Sequence, residues 1–449
     1  MTAPARTAAY RALRAIAANR ADLPSALVAS RAGLPDERDR ALTAEIVTGT
    51  LRWLRNLDHL IEHFARRPVA KIDGEVVAIL RLSLYQLLHL QRVPASAVVD
   101  DAVNLVRQAK KVSATGFVNA VLRATLRQRH RLSLPPRPED RNSPAADVAY
   151  LGITHSHPEW LVSRWYDRYG FEAAEQWVRF NNDTPHLTLR ANRLRIQREA
   201  LAAALTAERV ETQPTRYAPD GLHVVRGNPL GVPNEGRFFV QDEASQVITV
   251  VLGARPGEQI LDLCASPGGK TAAIAADMSD AGLVAACDVR PRRLRLLQQT
   301  VRASRATCVR VVHVGTDGAL PFAVAFDRVL IDAPCSGLGT IRRDPDIRWR
   351  RAPSDLVAFA RDQLSLLTRA ADVVKPGGRL LYATCSSEPE ENDCVVDAFL
   401  ARDSRFEPVD LRPEAEELSP LMDGRGRLKT LPFAHRLEAF FAAAVRRVR

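Results

Sequence analysis

Apolar residues in the first third of the chain recur at three- and four-residue steps. Leu42, Ile46, Val47, Leu51, Leu54, Leu57, Ile61 and Phe64 keep that spacing, as do Val76, Ile79, Leu80, Leu84, Leu87 and Leu88, and then Val98, Ala102, Leu105 and Val106. Such steps bring apolar groups to one face of a helix. Proline is absent from these runs and stands between them, at Pro68 and Pro94, where the missing N–H stops a helix. The pattern predicts an all-helical domain over residues 1–133. Leu134–Ala145 has four prolines and no period, which predicts a linker.

Helical spacing resumes after His157 through Trp160, Leu161, Trp165 and Tyr169; His186–Asn192 then alternates as a strand, and Leu201 and Leu205 mark another helix. Residues 145–236 are therefore expected to form a small α+β connector. From Phe238 the pattern becomes strand–helix alternation, with strands at Gln259–Cys264, Leu283–Asp288, Val309–Val314, Arg328–Asp332 and Arg379–Thr384. Short runs of Val, Ile and Leu separated by helices predict a mostly parallel sheet covered on both faces over residues 237–449. Ligands of such sheets bind beyond the carboxyl ends of the strands.

Composition adds limits. A chain of 449 residues, 46% hydrophobic and 26% charged, is of ordinary globular type and long enough for about three domains. Its longest apolar stretch, Val247–Ala254, is far short of the roughly 20 residues of a membrane span, so no membrane association is expected. Met1–Arg20 is read as a basic helix rather than a transit peptide. The net charge of +11 is uneven: residues 1–140 alone carry +9, and of 63 cations all but six are arginine. A localised cationic excess suits a polyanionic partner, and guanidinium groups fork onto phosphate oxygens. Six cysteines without C-x-x-C pairing indicate neither a disulfide framework nor a zinc site; reduced thiols in a cytoplasmic protein without a metal are the expectation.

The first predicted strand of the sheet runs into Asp262-Leu-Cys-Ala-Ser-Pro-Gly-Gly-Lys-Thr271 and a helix. Gly268 and Gly269 admit a ligand close to the backbone, at a helix N-terminus that attracts an anionic group. Two ligand classes fit such a loop. One is the phosphate of a P-loop, with Asp332 as the magnesium acid, but the motif would need Gly where Cys264 stands, and Pro267 removes an N–H. The other is a nucleoside held by its ribose: Asp288 ends the second strand 19 residues past Gly269, where an acid accepts from ribose hydroxyls and opposes a 2′-phosphate. The loop lacks G-x-G-x-x-G, which disfavours NAD, and S-adenosylmethionine fits best.

Two cysteines open polar loops at strand ends, in Asp332-Ala-Pro-Cys335-Ser and Tyr382-Ala-Thr-Cys385-Ser. One chemistry that needs thiols there is methylation at carbon 5 of cytosine, an atom too weakly nucleophilic to attack a sulfonium methyl directly. Thiolate addition at carbon 6 makes carbon 5 enamine-like, and it then takes the methyl; loss of the carbon 5 proton and expulsion of the thiol end the reaction. The thiolate is the reactive form. Asp332 is placed to hydrogen-bond the N3 or amino edge of the base.

DLCASPGGKT, DVRPRRL, FDRVLIDAPCSGLGTIRRDPDIRW and LLYATCSSEPEEND together resemble the RNA cytosine-C5 methyltransferases of the RsmB/Sun/NOP type. The likeness continues through FVQDEASQ, SHPEWLVSRWYDRYG and LTLRANRL, and through DRALTAEIVTGTLRWLRNLD, ILRLSLYQLLHLQRVP and GFVNAVLR, which resemble a NusB-like helical domain. With that front end the chain looks like the bacterial small-subunit enzymes, whose substrate is 16S rRNA. The resemblance implies a NusB-like RNA-binding domain (1–133), the α+β connector (145–236) and a Rossmann-like methyltransferase domain (237–449). It also implies Cys385 as nucleophile and Cys335 in product release. Cys264, Ala265, Ser266, Pro267, Gly268, Gly269, Lys270, Asp288, Asp317 and Asp332 match positions that bind S-adenosylmethionine or the target base. Arg342, Arg343 and Arg348, clustered with Trp349, are candidate RNA contacts by charge and planarity. A target cytosine must be unstacked to reach a thiol, so an unpaired nucleotide is expected. Two other classes stay open here: a P-loop NTPase acting on RNA, and a non-catalytic assembly factor on a methyltransferase fold. A reversal of the cysteine roles is a third variant. One departure stands out: where the family's closing strand has Asp-Gly before a Phe pair, this chain has Glu438-Ala439 before Phe440 and Phe441.

Overall fold

The computed structural model describes residues 2–139, 143–323 and 325–448, so Asp140, Arg141 and Asn142 of the expected linker lie outside the described residues. The chain divides into two compact units: residues 1–183 together with 341–350, and residues 184–340 together with 351–449.

The first unit opens with seven helices, Pro4–Ala17, Leu23–Arg31, Glu37–Arg52, Leu54–Ala65, Gly74–His89, Ala95–Gln108 and Thr115–Gln128. The residues with helical spacing form its core: Ile46, Leu57, Ile61, Ile79, Leu80, Leu84, Val106 and Leu122 are all 0% exposed. Asp22, Asp36 and Asp73 cap the following helices through their carboxylates, satisfying N–H groups that have no partner in the first turn. The long segment Glu159–Asn182 belongs to this unit as well. Gly170 interrupts it with φ 79°, a left-handed value that glycine adopts without a Cβ clash. Trp165 and Trp177, from either side of that break, stack with ring centroids 4.7 Å apart.

The second unit starts with a four-stranded antiparallel sheet of β1 (Thr188–Ala191), β2 (Glu211–Pro214), β3 (Gly221–Arg226) and β4 (Phe238–Val240), in the order β2-β3-β1-β4. Helix Arg198–Ala207 sets Leu201 and Leu205 against Leu189 and Ala191 of β1. The sequence pattern predicts only β1 of these four. β2 is nearly all exposed, and β4 is three residues long, so neither has an apolar alternation to detect.

The larger sheet contains β5 (Gln259–Asp262), β6 (Leu283–Asp288), β7 (Val309–His313), β8 (Phe326–Asp332), β9 (Val374–Thr384), β10 (Phe406–Val409), β11 (Leu428–Lys429) and β12 (Phe441–Arg447). Strands β7-β6-β5-β8-β9 are parallel, and β12 and β10 continue the sheet antiparallel beyond β9. Its five parallel strands are those the sequence predicts. From β5 the chain builds toward β7 and then returns to β5's other side with β8, so the connections diverge between β5 and β8. Such a divergence opens a crevice at the strands' carboxyl ends. The order all-α, α+β, α/β Rossmann-like holds along the chain. Phe440 and Phe441 are buried at 5% and 0% exposure, as core residues.

Candidate active site

The chemistry-bearing residues lie in a row along the carboxyl ends of the parallel strands: Asp317 beyond β7, Asp288 at the end of β6, Cys264–Lys270 beyond β5, Asp332 and Cys335 at the end of β8, and Cys385 beyond β9. The loop after β5 is stitched to both neighbouring strands, with Leu263 N–H donating to Leu330 O (3.0 Å) and Ala265 N–H to Cys287 O (2.8 Å). Gly268 turns it at φ 104°, and a Cβ there would stand 3.0 Å from Leu297 and Thr300, so only glycine fits. Cys264, Ser266, Gly269, Lys270 and Asp332 line the resulting cleft, joined by Gln241 from the segment after β4.

Two acceptors on this cleft are buried without a protein partner, Asp262 Oδ1 and Gln241 Oε1. Asp262 is completely buried; Thr271 Oγ1 donates to its Oδ2 at 2.7 Å, and burial pushes the carboxyl up to about 7. Asp288 is fixed at the strand end by Arg290 N–H, which donates to Oδ1 at 2.9 Å. Burial pushes the Cys264 thiol well above the usual range, so Cys264 lines the cleft as a neutral group. Gly315, Thr316 and Gly318, around the exposed Asp317, give their carbonyls to the Arg369 guanidinium at 2.7–3.1 Å.

Lys270 reaches across to β8, its Nζ 2.7 Å from Asp332 Oδ2. Burial opposes the ammonium, but Asp332 and the nearby Cys385 sulfur outweigh it and hold Lys270 protonated. Cys335 Sγ and Cys385 Sγ are 3.2 Å apart, both free thiols and both partly exposed. The Cys385 sulfur, then burial, then the charge of Glu391 push the Cys335 thiol well up.

Glu391, which carries no sequence expectation, is completely buried behind this pair. Its Oε1 accepts from Ser336 N–H (2.7 Å) and Gln363 Nε2 (3.1 Å), and its Oε2 from Ser336 Oγ and Ser386 Oγ, both at 2.5 Å. The loops also meet through the backbone, Gly339 N–H donating to Cys385 O at 2.9 Å and Ala439 N–H to Gly339 O at 3.0 Å. A Cβ on Gly339 would lie 1.8 Å from Ala439 O. Glu438 is itself buried at 1% exposure, and its carbonyl accepts from Thr430 Oγ1 at 2.6 Å.

The arginine cluster is placed otherwise than expected. Residues 341–350 fold with the helical unit. Arg348 is 0% exposed; it donates to Ser156 O (2.9 Å), Asn182 Oδ1 (3.1 Å) and Asn181 O (3.3 Å). A guanidinium so enclosed holds protein backbone and cannot reach a nucleic-acid phosphate, which corrects its assignment as an RNA contact. Trp349 Nε1 donates to Leu51 O at 2.6 Å, and Arg342 stacks over Phe180 at 4.3 Å, both half-buried like Arg343. Among the described residues no group of three or more His, Cys, Asp or Glu could hold a metal ion, and no helix is long and apolar enough to cross a membrane.

Residues 249–446 match the family model of the 16S rRNA methyltransferase RsmB/F, residues 3–127 that of the NusB family, and residues 157–230 that of the ferredoxin-like domain of RsmF/B-like methyltransferases. Ribosomal RNA small subunit methyltransferase B of Pseudomonas putida is 35% identical over 91% of this chain and 92% of its own length. The protein of that name from Escherichia coli is 34% identical over 91% and 90%. Among solved structures, PH0851 covers 99% of both chains at 26% identity with a TM-score of 0.79. NSun6 from Pyrococcus horikoshii, solved with SFG, covers 66% of this chain and 100% of its own at 21% identity and a TM-score of 0.57.

Proposed function

The chain belongs to the RsmB/F family of 16S rRNA methyltransferases, and from that premise we propose that it methylates carbon 5 of a specific unpaired cytosine in small-subunit rRNA, in the cytoplasm. The supporting observation is the pair of thiols 3.2 Å apart, at the ends of adjacent strands and beside the Lys270–Asp332 ion pair. A site that adds a thiolate to a pyrimidine and later expels it has use for two sulfurs that share one position. An NTPase has no use for them, and here the P-loop lysine is paired with a carboxylate.

S-adenosylmethionine, when bound, supplies an electrophilic methyl on a sulfonium sulfur. The cleft suits it: Gly269 leaves the backbone open, Asp262 Oδ1 and Gln241 Oε1 are unpartnered acceptors for a cationic ligand, and Asp288, at the end of the neighbouring strand β6, is the acid for the ribose hydroxyls. Cys264 to Lys270 and Asp317 complete its surroundings. Cys385 adds to carbon 6 as the thiolate, the nucleophilic form of the group. Asp332 keeps Oδ2 on Lys270 and has Oδ1 for the N3 or amino edge of the base. After methyl transfer a base takes the proton from carbon 5 and the Cys385 sulfur leaves, with Cys335 assisting release. We assign residues 1–133 to RNA binding, 145–236 to the connector and 237–449 to catalysis; Arg342 and Arg343 remain as RNA contacts.

Cys385→Ala is expected to abolish turnover while rRNA binding persists. Cys335→Ala is expected to accumulate a covalent rRNA adduct that survives denaturation; an adduct in the Cys385 variant instead would reverse the roles. Mapping 5-methylcytosine in small-subunit rRNA from cells with and without the protein tests the base, and an unchanged map refutes the assignment.

A further inference from the structure

Cys335 and Cys385 are fifty residues apart in sequence and sit on loops from different strands, yet methyl transfer as proposed needs their sulfurs at one fixed spacing. Both are followed by serine, and both serine hydroxyls converge on the Glu391 carboxylate at 2.5 Å. Ser336 adds its backbone N–H at 2.7 Å, and Gln363, which also donates to Pro334 O at 2.9 Å, completes the set at 3.1 Å. None of these four donors is a cation, so a fully buried carboxylate is held by neutral groups alone. Burying an acid this way is costly, and a side chain needed only to fill space would be apolar. What a carboxylate offers instead is acceptor capacity: two oxygens take four donors at once, where an amide has one oxygen. The short turn Pro389–Glu391 and the residue after it are anchored as well, since Tyr382 Oη donates to Glu391 O at 2.6 Å and Asn392 Nδ2 to Ser386 O at 3.0 Å.

We propose that Glu391 is a positioning residue for the methyl-transfer reaction, a carboxylate clamp that sets the Cys335 and Cys385 loops at reacting distance through Ser336 and Ser386. It touches neither substrate nor cofactor, and it acts through the two thiols. Its negative charge also disfavours ionisation of Cys335. The inference rests on the reading of the two-thiol site as a methyl-transfer centre, whichever sulfur is the nucleophile.

The full-length chain with unmodified small-subunit rRNA transcript provides the test. Ser386→Ala cuts one arm of the clamp without burying a new charge, and Glu391→Gln keeps the shape and one acceptor. Single-turnover methyl transfer is expected to fall at least tenfold in Ser386→Ala, which loses one arm, and at least as far in Glu391→Gln, whose amide NH2 faces two of the four donors. The dissociation constants for S-adenosylmethionine and rRNA should stay within twofold of the parent. In a Cys335→Ala background, Ser386→Ala should slow adduct formation by the same factor. Unchanged single-turnover rates in both variants overturn the clamp, as does a parallel loss of S-adenosylmethionine affinity, which marks general loosening of the domain. If Cys335→Ala alone forms no adduct while Ser386→Ala still slows methyl transfer, the cysteine assignment fails and the clamp stands.

Discussion

Replacing Arg348 by alanine separates two roles that an arginine beside a tryptophan in a basic loop can have. The guanidinium is enclosed and donates to Ser156 O, Asn182 Oδ1 and Asn181 O. Without it, three buried acceptors lose their donor at about 1 kcal/mol each, and the emptied side-chain volume adds to that. Relief from burying a cation near Arg52, which lowers the Arg348 pKa after burial itself, offsets part of the cavity cost. The net loss is about 3 kcal/mol. For a unit of roughly 190 residues that lowers Tm by about 6–12 °C. All five tryptophans, Trp53, Trp160, Trp165, Trp177 and Trp349, belong to the unit that contains Arg348, so intrinsic tryptophan fluorescence follows its melting directly. The slope of log Kd for rRNA against log salt concentration should not change. A variant that melts within about 1 °C of the parent and loses about one phosphate contact from that slope refutes the structural role.

Three further outcomes are expected. Asp262 has a folded pKa of about 7 against a usual value of 3.8, so its burial is harmless below about pH 4 and destabilises progressively as pH rises to about 7; Asp262→Asn should be the more stable protein at pH 8 in urea unfolding and equal to the parent at pH 4, and parallel pH profiles would refute this. Gly339→Ala forces a Cβ into Ala439 O and breaks the register that holds Cys385 O, so turnover should vanish with a stability loss of about 3 kcal/mol; a catalytically normal variant by methyl-transfer assay counters it. Helix Pro291–Ser304 has no acid, and its exposed Arg292 and Arg295 stand near the loop after β5, where Ser266 Oγ donates to Arg293 O at 3.1 Å; Arg292→Glu with Arg295→Glu should weaken rRNA binding and flatten its salt slope by about 2, with S-adenosylmethionine affinity unchanged.

The elements that sequence pattern located well are those whose burial is one-sided or complete over several turns or residues. Helices Glu37–Arg52 and Gly74–His89 repeat their apolar face long enough to declare a period, and β6 and the second half of β8 (Val329–Ile331) are apolar runs ending in an acid. β2 and β4 escaped because short, partly exposed strands take their stability from neighbours rather than from their own alternation. The helix Glu159–Asn182 was legible as a helix, but its membership of the first unit depends on contacts such as Arg348 with Asn181 and Asn182, across more than 160 residues of chain. Local periodicity holds no information about such partners.

The site divides along the same line. Cys264–Lys270, Asp288, Asp332, Cys335 and Cys385 were visible because each belongs to a residue type with chemistry of its own at a strand end, where topology guarantees that they meet. Glu391 was passed over and Arg348 misassigned for a shared reason: from sequence an acid in PEEND and an arginine in DIRW read as solvated charges, and only the fold surrounds them with neutral donors or acceptors. Each closes a gap between segments remote in sequence, Glu391 between the Cys335 and Cys385 loops and Arg348 between residues 341–350 and the helix Glu159–Asn182 of the same unit. A buried charge with neutral partners is worth little as net stability, but it admits few alternative arrangements, because any shift leaves an ion without its hydrogen bonds. Geometry that must be held to a fraction of an ångström, such as a 3.2 Å spacing of sulfurs, is better served by such a group than by apolar packing, which tolerates repacking.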